Sequence, residues 1–197
     1  MEGINIAATS SYGFVISNNY IGGSAANCGG SAFTLTGTIK FRGIRCSTSS
    51  TLAATSIQGN TIQNISITTS ATGTANAGIS LASGQYNCGT TNANIIGSQS
   101  VAGSITYSSS VASCAFSGIN MTSATVGTVS ISNNQIGGIT GAGASTSNQV
   151  FGIYILAGYG TVQSNLITTL SNTSATVTAN GASSVIGISL NTNTTGT

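Results

Sequence analysis

The chain lacks the residues that most enzymes and metal sites use. Its 197 residues include no histidine, and its only acidic residue is Glu2, in an N-terminal segment that we expect to be disordered. Glycoside hydrolysis commonly needs two carboxylates, a serine or cysteine nucleophile needs a base, and calcium needs carboxylate-rich loops. No motif supports a Ser–Lys pair around Lys40, the single lysine. We therefore expect no catalytic residues, no cofactor and no metal site, and hence no enzyme.

Charge is almost absent, and proline and tryptophan are absent altogether. Only 2% of the residues are charged, and the formal net charge is +2. All three cations lie between Lys40 and Arg45, whereas a nucleic-acid surface needs several phosphate contacts over a broad basic face. No apolar run approaches the roughly 20 residues of a membrane-spanning helix. We therefore expect neither nucleic-acid binding nor a membrane span.

A first recurring block reads hydrophobic-x-x-Asn-x-hydrophobic, as in the six residues from Ile16 to Ile21. The amide positions of its five copies step by 41, 39, 35 and 31 residues. Amide side chains of successive turns can hydrogen-bond along a stack, and asparagine tolerates the left-handed conformation of a corner. We therefore predict a structural Asn/Gln ladder, with a polar ligand line as the alternative. Its members are Asn19, Asn60, Gln99, Asn134 and Asn165.

A second block reads Gly-Ile-x-hydrophobic, and its copies begin at Gly43, Gly78, Gly118, Gly152 and Gly187. Side chains alternate between the two faces of a strand, so the isoleucine and the last residue of the block share the inward face. The predicted core column is Ile44, Ile79, Ile119, Ile153 and Ile188. The residue between them points outward, as Arg45, Ser80, Asn120, Tyr154 and Ser189.

The two blocks alternate strictly, which is typical of a solenoid whose turns bury a continuous core only when stacked. The sequence therefore predicts an all-β fold, a parallel β-helix of about five turns with roughly 31–41 residues per turn and long polar loops. A third short strand is expected in some turns, as at Ile65–Ile67 or Ile139–Thr140. Residues 1–197 are expected to form one solenoid domain, an excerpt or stackable unit without evident caps.

These blocks resemble right-handed parallel β-helix repeat proteins. More narrowly, the stretch from about Tyr12 to Leu190 resembles a segment of the large secreted β-strand-repeat surface proteins of bacteria. The resemblance implies the handedness of the coil and a location outside the cell or on its surface. The pectate lyases and polygalacturonases that share this scaffold use acidic catalytic clusters, which have no counterpart here.

Four cysteines, Cys28, Cys46, Cys88 and Cys114, lie in the first three turns. Their spacing lacks the paired Cys-x-x-Cys pattern of zinc sites. An even number of cysteines in an extracellular chain favours disulfides, and we expect at least one. Free buried thiols are the alternative, because Cys46 occupies an inward position of the second block.

Two functions fit this sequence. The first is an extracellular structural or adhesive module, with self-association or neighbouring repeats of the same protein as partners, assembly end to end into a filament, and a glycan or other surface as ligand. The second is a binding module for ice or an insoluble polysaccharide. Ice binding needs regular ranks of threonine, but the Thr-x-Thr pairs fall at different offsets from the Gly-Ile block. A flat threonine array is therefore not supported, unless irregular loops restore the alignment.

Overall fold

The computed structural model describes residues 1–49, 51–71, 73–111, 114–122, 126–143, 148–173 and 184–190. These residues form short β-strands and one 3-10 helix, η1 (Ala26–Cys28). The strands are β1 (Glu2–Ala8), β2 (Val15–Ser17), β3 (Tyr20–Ile21), β4 (Phe33–Gly37), β5 (Arg42–Thr48), β6 (Thr55–Gln58), β7 (Thr61–Ile62), β8 (Ile65–Thr69), β9 (Gly73–Leu81), β10 (Gly84–Cys88), β11 (Ile95–Gly97), β12 (Ile105–Ser109), β13 (Cys114–Met121), β14 (Val126–Ser132), β15 (Gln135–Gly137), β16 (Ile139–Ala142), β17 (Gln149–Ile155), β18 (Gly160–Gln163), β19 (Leu166–Ile167), β20 (Leu170–Asn172) and β21 (Val185–Leu190).

The strands form four parallel sheets that the chain visits in a fixed order. Sheet I contains β1, β5, β9, β13, β17 and β21; sheet II contains β2, β6, β10, β14 and β18; sheet III contains β3, β7, β11, β15 and β19; sheet IV contains β4, β8, β12, β16 and β20. Each circuit through the four sheets stacks on the one before. The predicted all-β parallel solenoid of about five turns is confirmed.

Each turn contains four strands rather than two or three, because the Asn block bends at its centre. Its two halves lie in sheets II and III, as β2 and β3 do in the first turn. In four of the five turns the residue before the ladder asparagine is left-handed, with φ of 58° at Asn18, 65° at Gly59, 60° at Asn133 and 55° at Ser164. The predicted third strand lies in sheet IV, where β8 and β16 begin at Ile65 and Ile139.

The glycine of the Gly-Ile block has a packing role. A Cβ built on Gly78 would lie 2.6 Å from Cγ2 of Ile96, and one on Gly118 would lie 2.5 Å from Cγ2 of Ile136. Real Cβ atoms do not approach that closely, so the missing side chain gives the isoleucines of sheet III room beside sheet I. The corresponding distances are 2.9 Å from Gly43 to Ile62, 2.8 Å from Gly152 to Ile167 and, less tightly, 3.1 Å from Gly3 to Ile21.

The N-terminal segment is a strand rather than the disordered stretch that we expected. Glu2 begins β1, which pairs with β5 and places Ile4 opposite Ile44. The residues from Gly3 to Ile6 read Gly-Ile-Asn-Ile, so β1 carries a further copy of the second block. The Gly-Ile column therefore begins one turn earlier than the sequence analysis placed it.

Candidate functional site

An asparagine ladder runs through the corner between sheets II and III. Four of the five predicted residues belong to it, and Asn94 takes the place of Gln99. Nδ2 of Asn60 donates a hydrogen bond to Oδ1 of Asn94 at 3.0 Å, and Nδ2 of Asn94 donates to Oδ1 of Asn134 at 2.9 Å. Asn19 donates to Asn60, and Asn134 donates to Asn165, in the same way.

The ladder amides also bind the backbone, which assigns them a structural role. Nδ2 of Asn94 donates to the carbonyl of Ile57 in the turn below at 2.9 Å, and Nδ2 of Asn165 donates likewise to the carbonyl of Ile131 at 2.9 Å. Asn60, Asn94 and Asn134 are fully buried. Their hydrogen-bonding groups are therefore directed at neighbouring turns, and the ladder offers no polar line to a ligand.

An insertion explains why Gln99 was chosen from the sequence. Cys88 pairs with Ile57 and therefore holds the first position of the block. Asn94 follows Cys88 by six positions, whereas Asn60 follows Ile57 by three. Gln99 lies beyond sheet III, where its Oε1 accepts a hydrogen bond from the hydroxyl of Thr168 at 2.6 Å. The pattern Asn-x-hydrophobic, which the insertion leaves intact at Asn94, was the signal that could have found the ladder residue.

The predicted core column stacks in sheet I. Ile44, Ile79, Ile119, Ile153 and Ile188 lie opposite one another on consecutive strands. Ile44 to Ile153 are fully buried, whereas Ile188, on the last strand, is 47% exposed. The outward column is less accessible than expected, because Ser80 and Asn120 are also buried.

The four cysteines are free thiols, and all are buried. The expected disulfide is therefore not present, because Cys46 and Cys88 point into the core from sheets I and II and pack there as small apolar side chains. Burial raises the pKa of the Cys46 thiol to about 12. It also raises the pKa of the Cys28 and Cys88 thiols above the usual 9.0.

Three of the four charged side chains meet at one end of sheet I. The carboxylate of Glu2 lies 2.9 Å from Nη1 of Arg42 and 3.6 Å from Nε of Arg45. Nη1 of Arg45 also donates a hydrogen bond to Oδ1 of Asn5 at 3.2 Å. The ionic contacts of the described residues thus hold β1 against β5.

Sheet IV presents two aligned columns of small hydroxyl side chains on its outer face. We define this hydroxyl face by its members. The first column is Thr34, Ser66, Thr106, Thr140 and Ser171, and the second is Thr36, Thr68 and Ser108, ending at Ala142. Thr34, Thr36 and Thr68 are exposed, and the others are half-buried.

This alignment differs from the expectation that no flat threonine array exists. The offsets of the Thr-x-Thr pairs from the Gly-Ile block vary because the loops between sheets differ in length from turn to turn. The backbone register of sheet IV restores the alignment, with serine often standing for threonine. Thr72, Thr176, Thr178, Thr192 and Thr194 lie outside the described residues.

The first and last turns expose apolar side chains in different directions. In the first turn, Val15 (73% exposed) and Tyr20 (56% exposed) lie on the outer faces of sheets II and III, next to the inward-facing Ile16 and Ile21. In the last turn, Leu190 (65% exposed) continues the inward column of Met121 and Ile155 and therefore faces the end of the stack, and Tyr159 is 69% exposed. An open apolar depression lies at this second end, lined by Ile155, Gly158, Tyr159, Gly160, Val162 and Leu190.

Two further features, a cluster of metal ligands and a membrane-spanning helix, are absent from the described part of the chain. Within it, no three metal-ligating side chains of the His, Cys, Asp and Glu types cluster together. No helix there is long and apolar enough to cross a membrane. Comparisons with protein-family models, curated proteins and solved structures find no match. The candidate sites are therefore the hydroxyl face and the two ends of the stack.

Proposed function

We propose that the chain is a non-enzymatic structural and adhesive module that works outside the cell or on its surface and extends end to end by stacking. The observation that carries this proposal is that, among the described residues, the first and last strands of all four sheets pair along one edge only, and that Leu190 exposes an apolar side chain at the second end. Unpaired edges are templates for further strands. With a net charge of only +2, repulsion between copies is weak.

The build of the rod suits a mechanical role. Each pair of consecutive turns is joined by backbone hydrogen bonds in four parallel sheets and by one asparagine side chain. Bending the solenoid would therefore disturb several hydrogen bonds at once. The three trypsin-type sites, Lys40, Arg42 and Arg45, lie together near the first end. These properties favour a stiff, protease-resistant stalk whose loops meet a surface, a glycan or other copies.

Size-exclusion chromatography with electron microscopy over a protein concentration series tests this proposal. We expect rods that lengthen as the concentration rises. Leu190→Asp should abolish them by placing a charge on the end surface, whereas Asn87→Asp, exposed on the side of sheet II in the third turn, should not. Monomers alone at every concentration would contradict end-to-end extension.

Binding to ice or to an insoluble polysaccharide is a second candidate, and the hydroxyl face favours it. Neighbouring members lie about 4.8 Å apart across strands and roughly 6.6 Å apart along a strand. Such an array presents regularly spaced hydroxyl and methyl groups to a solid surface. The regular spacing of these groups could match either the ordered water molecules at an ice surface or the hydroxyl groups of a crystalline glycan.

Ice recrystallisation assays and pull-down with crystalline cellulose or chitin test the second candidate. We expect activity that Thr68→Tyr abolishes, because the bulky ring interrupts the aligned hydroxyl columns. Thr161→Tyr, at an exposed position of sheet II, is the matched control and should keep full activity. No activity in either assay, or equal loss in both variants, would contradict the role of the hydroxyl face.

A further inference from the structure

Sheet I has six strands, whereas sheets II, III and IV have five each. Strand β21 therefore already begins a sixth turn. If a second copy stacked its own β1 on β21, each of the other three sheets would keep one empty strand position at the junction. Simple stacking of two intact copies thus leaves a gap around most of the circuit.

The first and last strands of sheet I are equivalent in the repeat. Strand β1 carries Gly3-Ile4-Asn5-Ile6, and β21 carries Gly187-Ile188-Ser189-Leu190. Ile188 pairs with Ile153 in the register with which Ile4 pairs with Ile44. Strand β21 of one copy can therefore occupy the place of β1 beside β5 of the next copy.

We propose that copies join by strand exchange, in which β21 of one molecule displaces β1 of the next and pairs with its β5. This inference rests on the end-to-end extension proposed above and supplies its mechanism. The exchange removes the duplicated strand, so β2, β3 and β4 of the second copy can pair directly with β18, β19 and β20 of the first. All four sheets then continue without a gap.

The glycine contacts fit this junction. Gly3 faces Ile21, as each Gly-Ile glycine from Gly43 to Gly152 faces an isoleucine of sheet III. Gly187 is different, because a Cβ built there would meet nothing within 4 Å. After exchange, Gly187 takes the place of Gly3 against Ile21 of the second copy, and the open position is filled.

The register places further complementary groups together at the junction. Strand β2 of the second copy would lie on β18 and place Phe14 opposite Gly160, which lines the apolar depression at the end of the rod. Asn165 would donate to Oδ1 of Asn19 of the second copy, as Asn134 donates to Asn165 at 3.0 Å. The ladder therefore continues across the junction in the same direction.

The exchange costs sheet I little, because the sheet loses β1 and gains the equivalent strand β21 of the other copy. Sheets II, III and IV each gain a strand pair, and the apolar side chains that face the ends of the stack, such as Leu190, become buried. Swapping an identical element between protomers is a low-cost route to association.

The charged cluster acts as a latch on this exchange. Glu2 binds Arg42 and Arg45 only while β1 is in place. The equivalent position of β21 is held by Ile186, the partner of Phe151, which offers no carboxylate. Releasing β1 therefore breaks the ionic contacts, and Glu2→Gln should release it more readily.

Cysteine pairs in the full-length chain test the exchange. Ala7 lies opposite Ser47 in β1 and β5, so an Ala7→Cys/Ser47→Cys variant can lock β1 in place, since paired strands lie within disulfide distance. Ser189 stands where Asn5 stands opposite Arg45. A mixture of Ser189→Cys and Arg45→Cys molecules should therefore form a disulfide-linked dimer.

We expect the oxidised lock to stop assembly and its reduction to restore it. Ser189→Cys mixed with Ser80→Cys, which lies inside sheet I between two strands, should give no dimer. Glu2→Gln should lower the concentration for half-maximal assembly several-fold. Gly187→Ala should weaken assembly while leaving the monomer folded.

The outcomes separate this inference from the proposed function. Rods that form despite the oxidised lock, without the crosslink between positions 189 and 45, would overturn strand exchange and leave end-to-end extension standing. Folded protein that stays monomeric at all concentrations, even as Glu2→Gln, would overturn both.

Discussion

Nδ2 of Asn94 donates a hydrogen bond to Oδ1 of Asn134 at 2.9 Å, across 40 residues of chain. Both side chains are fully buried, so water cannot replace the bond if either partner is removed. This contact joins the third turn to the fourth where an insertion interrupts the sequence pattern. The hydrogen bond between these two asparagines therefore forms in the same way from turn to turn, although the loop before Asn94 is longer.

Asn94→Ala should destabilise the protein strongly. The change removes the bonds that Asn94 donates to Ile57, Cys88 and Asn134, and leaves the backbone and side-chain amide groups of Asn60 without their acceptor. Each buried group left unsatisfied costs about 1–3 kcal/mol, so we expect a loss of at least about 3 kcal/mol in the free energy of unfolding. Urea denaturation measures it.

Gln99→Ala is the matched control, since it removes only the bond from Thr168, and should cost about 1 kcal/mol. Equal losses in the two variants would contradict the assignment of Asn94 to the ladder.

Gly78→Ala should destabilise the fold, and Gly187→Ala should not. The new methyl group at position 78 would meet Cγ2 of Ile96 at 2.6 Å, whereas at position 187 it would meet nothing within 4 Å. Overpacking of this kind costs about 1–3 kcal/mol, and a surface change stays within about 0.5 kcal/mol. Thermal unfolding of dilute, monomeric protein compares the two variants. A tolerated alanine at position 78 would contradict the packing role of the glycine column.

The four thiols should be inert in the folded protein at neutral pH. All four are buried and free, and a thiol reacts as its thiolate, which burial disfavours at Cys28, Cys46 and Cys88. Ellman's reagent should therefore label the native protein very slowly and label four thiols per chain in guanidinium chloride. Fewer than four under denaturing, non-reducing conditions would indicate a disulfide.

Stability should fall as the pH rises above about 9. Burial raises the pKa of Cys46 from 9.0 and that of Tyr86 from 10.0, each to about 12. Above the unfolded-state pKa values the unfolded chain releases protons that the folded chain retains, so this contribution to stability is complete below pH 9 and is lost between about pH 9 and 12.

Urea midpoints measured from pH 8 to 12 check this dependence. Cys46→Val removes one of the titrating groups and should flatten the decline, whatever its effect at pH 8. A midpoint that stays constant up to pH 12 would show that these groups do not remain neutral in the folded state.

The strands that recur at regular intervals, and the side chains that stack within them, could be predicted from the sequence. Features that depend on how one turn contacts the next could not. The Ile44 to Ile188 column was found because identical strand blocks must stack in register. Asn94 was missed because three inserted residues moved it out of the pattern. Strand β1 was missed because its Gly-Ile-Asn-Ile block precedes the first copy of the Asn block and so stands outside the alternation of the two blocks. The hydroxyl face was missed because its alignment depends on loops of unequal length.

The cysteines show the same limit. An even count favoured a disulfide, but bonding depends on the direction of each side chain, which composition does not contain. Cys46 and Cys88 were placed by the register of sheets I and II, where an apolar residue is needed.

The most direct test of end-to-end extension by strand exchange is the axial rise per subunit, measured by electron microscopy with helical reconstruction of assembled rods. With β1 displaced, each copy adds five strands to every sheet, which gives a rise of about 24 Å. Intact copies stacked without exchange would occupy six strand positions and give about 29 Å. A rise near 24 Å is the predicted result, and a rise near 29 Å or particles that never assemble would contradict it.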